Sequence, residues 1–140
     1  MNVYTKVAPN TFFNVDEMGA KVTFDLEFIV NNETAIIIEV YEGDFFVNPK
    51  LDNFTFFIKI ESVSIKNITT YNSQIGDHNL ESLKTFLNDM FYLATPIINA
   101  YFATGFQVPN EFFGLIVVDH ADFQSKDGYV SIIFSPHLIQ

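Results

Sequence analysis

Residues 79–109 read NLESLKTFLNDMFYLATPIINAYFATGFQVP. Leu80, Leu83, Leu87, Met90, Ala94, Ile97 and Tyr101 recur at steps of three and four, the spacing that lines one face of an α-helix. Asn79 stands where an N-cap is needed, because its side-chain oxygen can accept from an amide that has no helical partner. Glu81 adds negative charge at the positive end of the helix dipole. Gly105 ends the run, since a left-handed residue after a helix costs glycine least. Pro96 lies inside, where it removes one backbone donor and crowds the preceding turn. The spacing therefore predicts one helix over 79–104, kinked at Pro96. Met90 to Asn110 carries no charge over 21 residues, enough by count to span a bilayer. Thr95, Pro96, Asn99, Thr104, Gly105 and Gln107 interrupt it, and its apolar positions share a face. The expectation is an amphipathic helix, not a membrane span.

Upstream the period is two. Val22, Phe24, Leu26, Phe28 and Val30 alternate with Thr23, Asp25 and Glu27, as in a strand with one greasy and one wet face. Asn31-Asn32-Glu33 reads as a turn and Thr34 to Tyr41 as the next strand. Gly43-Asp44 reads as a bend or bulge before Phe45-Phe46-Val47, and Pro49 as the strand's end. Phe54, Phe56, Ile58 and Ile60 line a further strand, but Val63 and Ile65 have the opposite parity. A one-residue bulge at Glu61 or Ser62 would keep both sets inward. Downstream come a strand from Gly114 to Val118, a hairpin around Asp127-Gly128, and a strand from Tyr129 to Phe134. The fold class is α+β: a long, twisted antiparallel sheet wrapped around one long kinked helix. All of it falls in one domain, 1–140, with strands in 1–76, the helix at 79–104 and C-terminal strands at 112–136. Two packings stay open: an ordinary α+β core, or an apolar space between helix and sheet that a lipid tail fills.

Composition narrows the function classes. Of 140 residues, 49% are hydrophobic, 16% aromatic and only 17% charged, against about 25% charged in ordinary soluble domains. The mean hydropathy of +0.20 points to an enlarged interior or to a face meant for lipid or protein. Seven lysines, no arginine and a net charge of −10 exclude nucleic acid as an expected partner and weigh against anionic membrane surfaces. Cysteine is absent and no Gly-x-Ser-x-Gly elbow occurs, so a nucleophile is not in evidence. The histidines are His78, His120 and His137. Asp119-His120-Ala121-Asp122 is the one local cluster, and neighbours on a strand face opposite ways. No catalytic residue, metal ligand or cofactor is expected, and the chain reads as a non-enzyme. MNVYTKVAPNTFF lacks the basic and apolar regions of a signal peptide. Asn32, Asn53 and Asn67 each open an Asn-x-Thr sequon, a mild excess over chance that is compatible with a secreted glycoprotein.

The stretch from His78 to Pro136 resembles the C-terminal barrel of the family that includes bactericidal/permeability-increasing protein, lipopolysaccharide-binding protein and the plasma lipid-transfer proteins, within the tubular lipid-binding superfamily. The similarity is carried by Pro96-Ile-Ile-Asn99 followed by Gly105-Phe-Gln-Val-Pro109, and by the strand pair ending in Gly128-Tyr129-Val130. Val22 through Ile65, closing with Asn72-Ser73-Gln74-Ile75-Gly76, is similar in order and length. Gln107 and Val108 depart from the family's proline and leucine. The resemblance implies most of one barrel of a larger two-barrel protein, secreted or lumenal, that binds or transfers lipid without chemistry. The expected partner is a phospholipid or other acyl lipid, with a second barrel or larger assembly beside it. The alternative is a structural or protein-interaction module that keeps the fold without a ligand. The expected lipid-contacting residues are Leu83, Leu87, Met90, Phe91, Ala94, Ile97, Ile98 and Tyr101 on the helix. Phe24, Phe28, Phe56 and Ile58 are their counterparts on the sheet. Pro96, Asn99, Gly105 and Pro109 are read as structural, shaping the helix end and its exit loop.

Overall fold

The computed structural model describes residues 1–15, 17–112 and 116–138. Two short N-terminal strands, β1 (Asn2–Thr5) and β2 (Asn10–Phe13), precede three long ones, β3 (Met18–Val30), β4 (Glu33–Asp52) and β5 (Thr55–Tyr71). Helix α1 (Leu80–Phe102) follows, then β6 (Phe106–Gln107), β7 (Glu111–Phe112), β8 (Ile116–Lys126) and β9 (Tyr129–Leu138). One antiparallel sheet runs β1-β3-β4-β5-β6, with β2 also paired to β3; a second runs β7-β8-β9. The expected strand from Gly114 begins outside the described residues, and β8 is first seen at Ile116.

Strands of 13, 20 and 17 residues are far longer than the usual five or six, and natural twist forces a sheet of such strands to coil. Bulges sharpen the curl. Phe46 pairs with Ser62 and Val47 with Ile60, which leaves Glu61 as the extra residue and reconciles the two apolar parities of β5. A second irregularity lies between Val40 and Gly43 on β4, so Ile36, Ile38 and Val40 face the core before it and Phe45 after it. The result is a curled half-barrel with one helix, an α+β fold.

Pro49 does not end β4. That strand continues to Asp52, with Pro49 opposite Ile58. The reason is local: β3 begins at Met18, which pairs with Val47. Beyond Val47 one side of β4 is unpaired, and a residue without an N–H is tolerated there. Asn31 and Asn32 both have positive φ, 52° and 64°. They form the two-residue turn that joins Val30 to Glu33.

Helix α1 starts where expected: Asn79 accepts from the Ser82 amide at 3.1 Å. It runs unbroken through Pro96, whose ring is on the exposed side. Water can then reach the Tyr92 carbonyl that the proline leaves without a helical donor. At the other end the Gly105 amide donates to Phe102 O at 3.1 Å, with Gly105 at φ 66°. The core is one cluster of Phe24, Leu26, Ile36, Ile38, Val40, Ile65, Ile68 and Leu87. Leu87 is its contribution from the helix, fully buried at 0% exposure.

The outer face of the sheet is not simply wet. Asp25 and Asp44, on that face, are each 5% exposed. Lys6 lies 3.2 Å from Asp25 and Lys66 2.5 Å from Asp44, and the Tyr71 hydroxyl donates to Asp25. Bonding to that carboxylate pushes the Tyr71 phenol above its ordinary pKa.

Candidate functional site: an apolar cleft beside the helix

Two asparagines decide how the helix lies. Asn99 Oδ1 accepts from the Ile60 amide and its Nδ2 donates to Ile60 O, both at 2.8 Å. Asn88 Oδ1 accepts from the Ile65 amide at 2.8 Å, and its Nδ2 donates to Ile65 O at 3.1 Å and to Lys84 O at 3.0 Å. The two lie eleven residues apart, about three turns, and so share a face. They bond the side of β5 turned away from β4, doing for that edge what another strand would do. Asn99 therefore does more than shape the helix end.

With those brackets fixed, Leu87 and Phe91 turn over the sheet. The Phe91 ring meets Phe24 and Phe45 edge-on, at centroid distances of 6.1 and 5.7 Å. Between this part of the helix and strands β1 and β3 lies a cleft of about 420 Å³. Its walls are Val22, Phe24 and Leu26 of β3, Phe45 of β4, Met90, Phe91, Ala94 and Ile98 of the helix, and Met1, Val3 and Thr5 at the N-terminus. Thr5 brings the one polar side chain of that lining. β1 serves both faces. Its inner side chains line the cleft, while Asn2 and Tyr4 donate to Glu27 at 2.9 and 3.0 Å and the neighbouring Lys6 donates to Glu39 at 2.8 Å.

Of the residues expected to contact lipid, the structure brings Phe24, Met90, Phe91, Ala94 and Ile98 together in the cleft. Phe28, Leu83 and Leu87 belong to the core beside it. Ile97 and Tyr101 are not among the walls of this cleft; they are 63% and 81% exposed. The apolar arc of the helix is wider than its contact with the sheet: the asparagine brackets turn Ile97 outward, and Tyr101 lies a turn further on, at the helix end. Phe56 and Ile58 also lie outside the cleft. They sit towards the β4–β5 turn, where Phe56 pairs with Phe106 and its ring is 5.5 Å from Phe123. Gly105 and Val108 anchor the exit loop there: a Cβ on Gly105 would lie 2.5 Å from Thr55 Cγ2, and the Val108 amide donates to Phe54 O at 2.7 Å. Pro109 follows in the same loop. The expected set omitted Met1, Val3, Thr5, Val22, Leu26 and Phe45, which also line the cleft. Only the pairing of β1 on β3, with Val3 opposite Leu26, carries the N-terminal side chains there.

The remaining polar candidates do not converge. His120 lies 3.0 Å from Asp122 and His137 2.7 Å from Asp119, all four exposed. Among the described residues no group of three or more acidic, histidine or cysteine side chains is placed to hold a metal ion. Among the same residues no helix is long and apolar enough to cross a membrane. Asn32 and Asn53 are exposed in turns, and Asn67 is exposed on β5 with its amide donating to Glu42.

A curled half-barrel closed along one edge by a single long helix, with an apolar cleft at their junction, defines the class of fold. A crystal structure of lipopolysaccharide-binding protein has the same fold: the TM-score is 0.61 at 16% identity, over 99% of this chain and 31% of that one. This chain thus spans about a third of that protein. No protein-family model and no curated protein matches the sequence.

Proposed function

We propose that the chain binds an acyl lipid in the cleft between β1, β3 and α1, without chemistry, as part of a lipid-transfer or lipid-recognition protein. One observation carries this: a space of about 420 Å³ whose walls offer carbon almost throughout. That volume lies within the roughly 300–1,000 Å³ of ordinary ligand sites. A lining this poor in hydrogen-bond partners suits an alkyl chain and little else. Met90 and Phe91 suit a variable tail, one by its flexible thioether and the other by its flat ring. The fold likeness to a lipopolysaccharide-binding protein supports the same reading. In this reading the chain is one barrel of a larger two-barrel protein of the bactericidal/permeability-increasing type, and its compartment is secreted or lumenal. Asn32, Asn53 and Asn67 then carry glycans, and a bend at Pro96 lets the helix follow the curl of β5.

The test is solvent extraction of the purified chain followed by mass spectrometry, with Ala94→Trp as control. Acyl lipid near one equivalent in the wild type, and little in Ala94→Trp, is the expected result. A folded, monodisperse wild type that neither carries lipid nor takes up a fluorescent fatty acid overturns it. A second reading, an interaction module without ligand, is favoured by the successive exposed side chains Ile132, Ile133 and Phe134 on β9. Under it, size exclusion finds a lipid-free oligomer.

A further inference from the structure

The apolar arc of α1 does not stop at the cleft wall. At about 100° per residue, Leu93, Phe86, Ile97, Met90 and Ala94 follow one another around the helix within an arc of about 100°. Met90 and Ala94 line the cleft. Leu93, Phe86 and Ile97, next to them, are 69%, 51% and 63% exposed. Across the cleft Met1 and Val3 line it and are themselves 63% and 56% exposed. The mouth of the cleft is thus edged on both sides by large apolar side chains open to water. No charged residue falls in the helical part of this rim, and none occurs from Met90 to Asn110.

We propose that this rim docks the cleft mouth onto the surface of a zwitterionic lipid bilayer. The leucine, isoleucine and phenylalanine of the helical lip lose no ionic hydration on entering the acyl boundary and gain by leaving water. Tyr101, 81% exposed one turn beyond Ile97, has the amphipathic ring that settles at headgroup level. Charge selects the occupant. The chain carries −10, so a second copy on the same lip, or an anionic bilayer, is repelled, whereas a neutral headgroup layer is not. The lip is continuous with the cleft wall, so an acyl chain passes from bilayer to cleft along apolar surface. The direction of that transfer rests on the proposed lipid function; the docking does not.

The experiment is flotation of the whole chain with phosphatidylcholine vesicles, alongside uptake of a fluorescent fatty acid from vesicle-free solution. The wild type floats with the vesicles, undiminished in about 0.5 M NaCl, where surface electrostatics are screened. Replacing part of the phosphatidylcholine with phosphatidylserine weakens binding. Leu93→Asp/Ile97→Asp lowers flotation at least about tenfold and leaves fatty-acid uptake intact, and Ile97→Ser gives an intermediate loss. Ala94→Trp does the reverse, blocking uptake while still floating, so failure of the docking is separable from failure of the cleft. A wild type that does not float, charged-lip variants that float equally well, or a lipid-free dimer dissolved by those same variants would each overturn the proposal.

Discussion

Asn99→Ala tests how the helix is held. The substitution removes both partners of Ile60, its amide and its carbonyl, each now bonded at 2.8 Å in a partly buried setting. Leaving one buried backbone group unsatisfied costs ~1–3 kcal/mol. Partial burial lets some water in, so each group falls in the lower half of that range. The expected loss is about 2–4 kcal/mol in all. For a domain of this size that lowers Tm by roughly 7–14 °C. Urea unfolding reads the free energy, and amide exchange at Ile60 reads the local cause, because that N–H loses its acceptor. Asn99→Asp keeps an acceptor for the amide but sets a carboxylate oxygen against the Ile60 carbonyl, so it rescues little. A loss below about 0.5 kcal/mol, within ordinary surface effects, together with unchanged Ile60 exchange, would refute the clamp.

Leu87→Ala should cost about 2–5 kcal/mol by urea unfolding, since the side chain is fully buried and the curled sheet can relax only partly into the void. Ile97→Ala should stay within about 0.5 kcal/mol; equal losses at the two positions would mean the helix is rotated otherwise. Gly105→Ala should destabilise by about 1–3 kcal/mol, through its left-handed backbone and the crowding of Thr55, and the calorimetric Tm reads it. Hydrogen bonds from Thr34, then Asn2 and Tyr4, hold the Glu27 carboxyl below its ordinary pKa. Its contribution is therefore present above the unfolded pKa and is lost as pH falls through the depressed folded value. Urea midpoints measured from neutral pH down to about pH 3 should drop less steeply in Glu27→Gln than in the wild type. An identical acid limb would exclude Glu27 as a contributor.

Much of the architecture is legible in the chain. The cap at Asn79, the helical steps from Leu80 and the stop at Gly105 depend on neighbours a turn away, so sequence specifies them. The parity change between Ile60 and Val63 implied a bulge, and Glu61 supplies it, because a strand with one apolar face has no other way to keep both sets inward. Pro49 misled because a proline is read as a strand end unless the vacancy beside it is known, and that vacancy is set by where β3 begins.

The cleft was only half legible. The helix offers an apolar arc from Leu93 round to Phe91, and nothing in its periodicity says which part faces protein. That choice belongs to Asn88 and Asn99, whose partners Ile65 and Ile60 are 23 and 39 residues away. Likewise Met1 and Val3 enter the site only because β1 pairs with β3 at a separation no local pattern records. Sequence alone determined the helix, the long strands, the sheet's greasy face and the acidic, Arg-free composition, since these depend on residue type and short spacing. The rotation of the helix, the walls of the cleft and the exposed lip were decided by tertiary structure, because each depends on hydrogen bonds and strand pairings between segments distant along the chain.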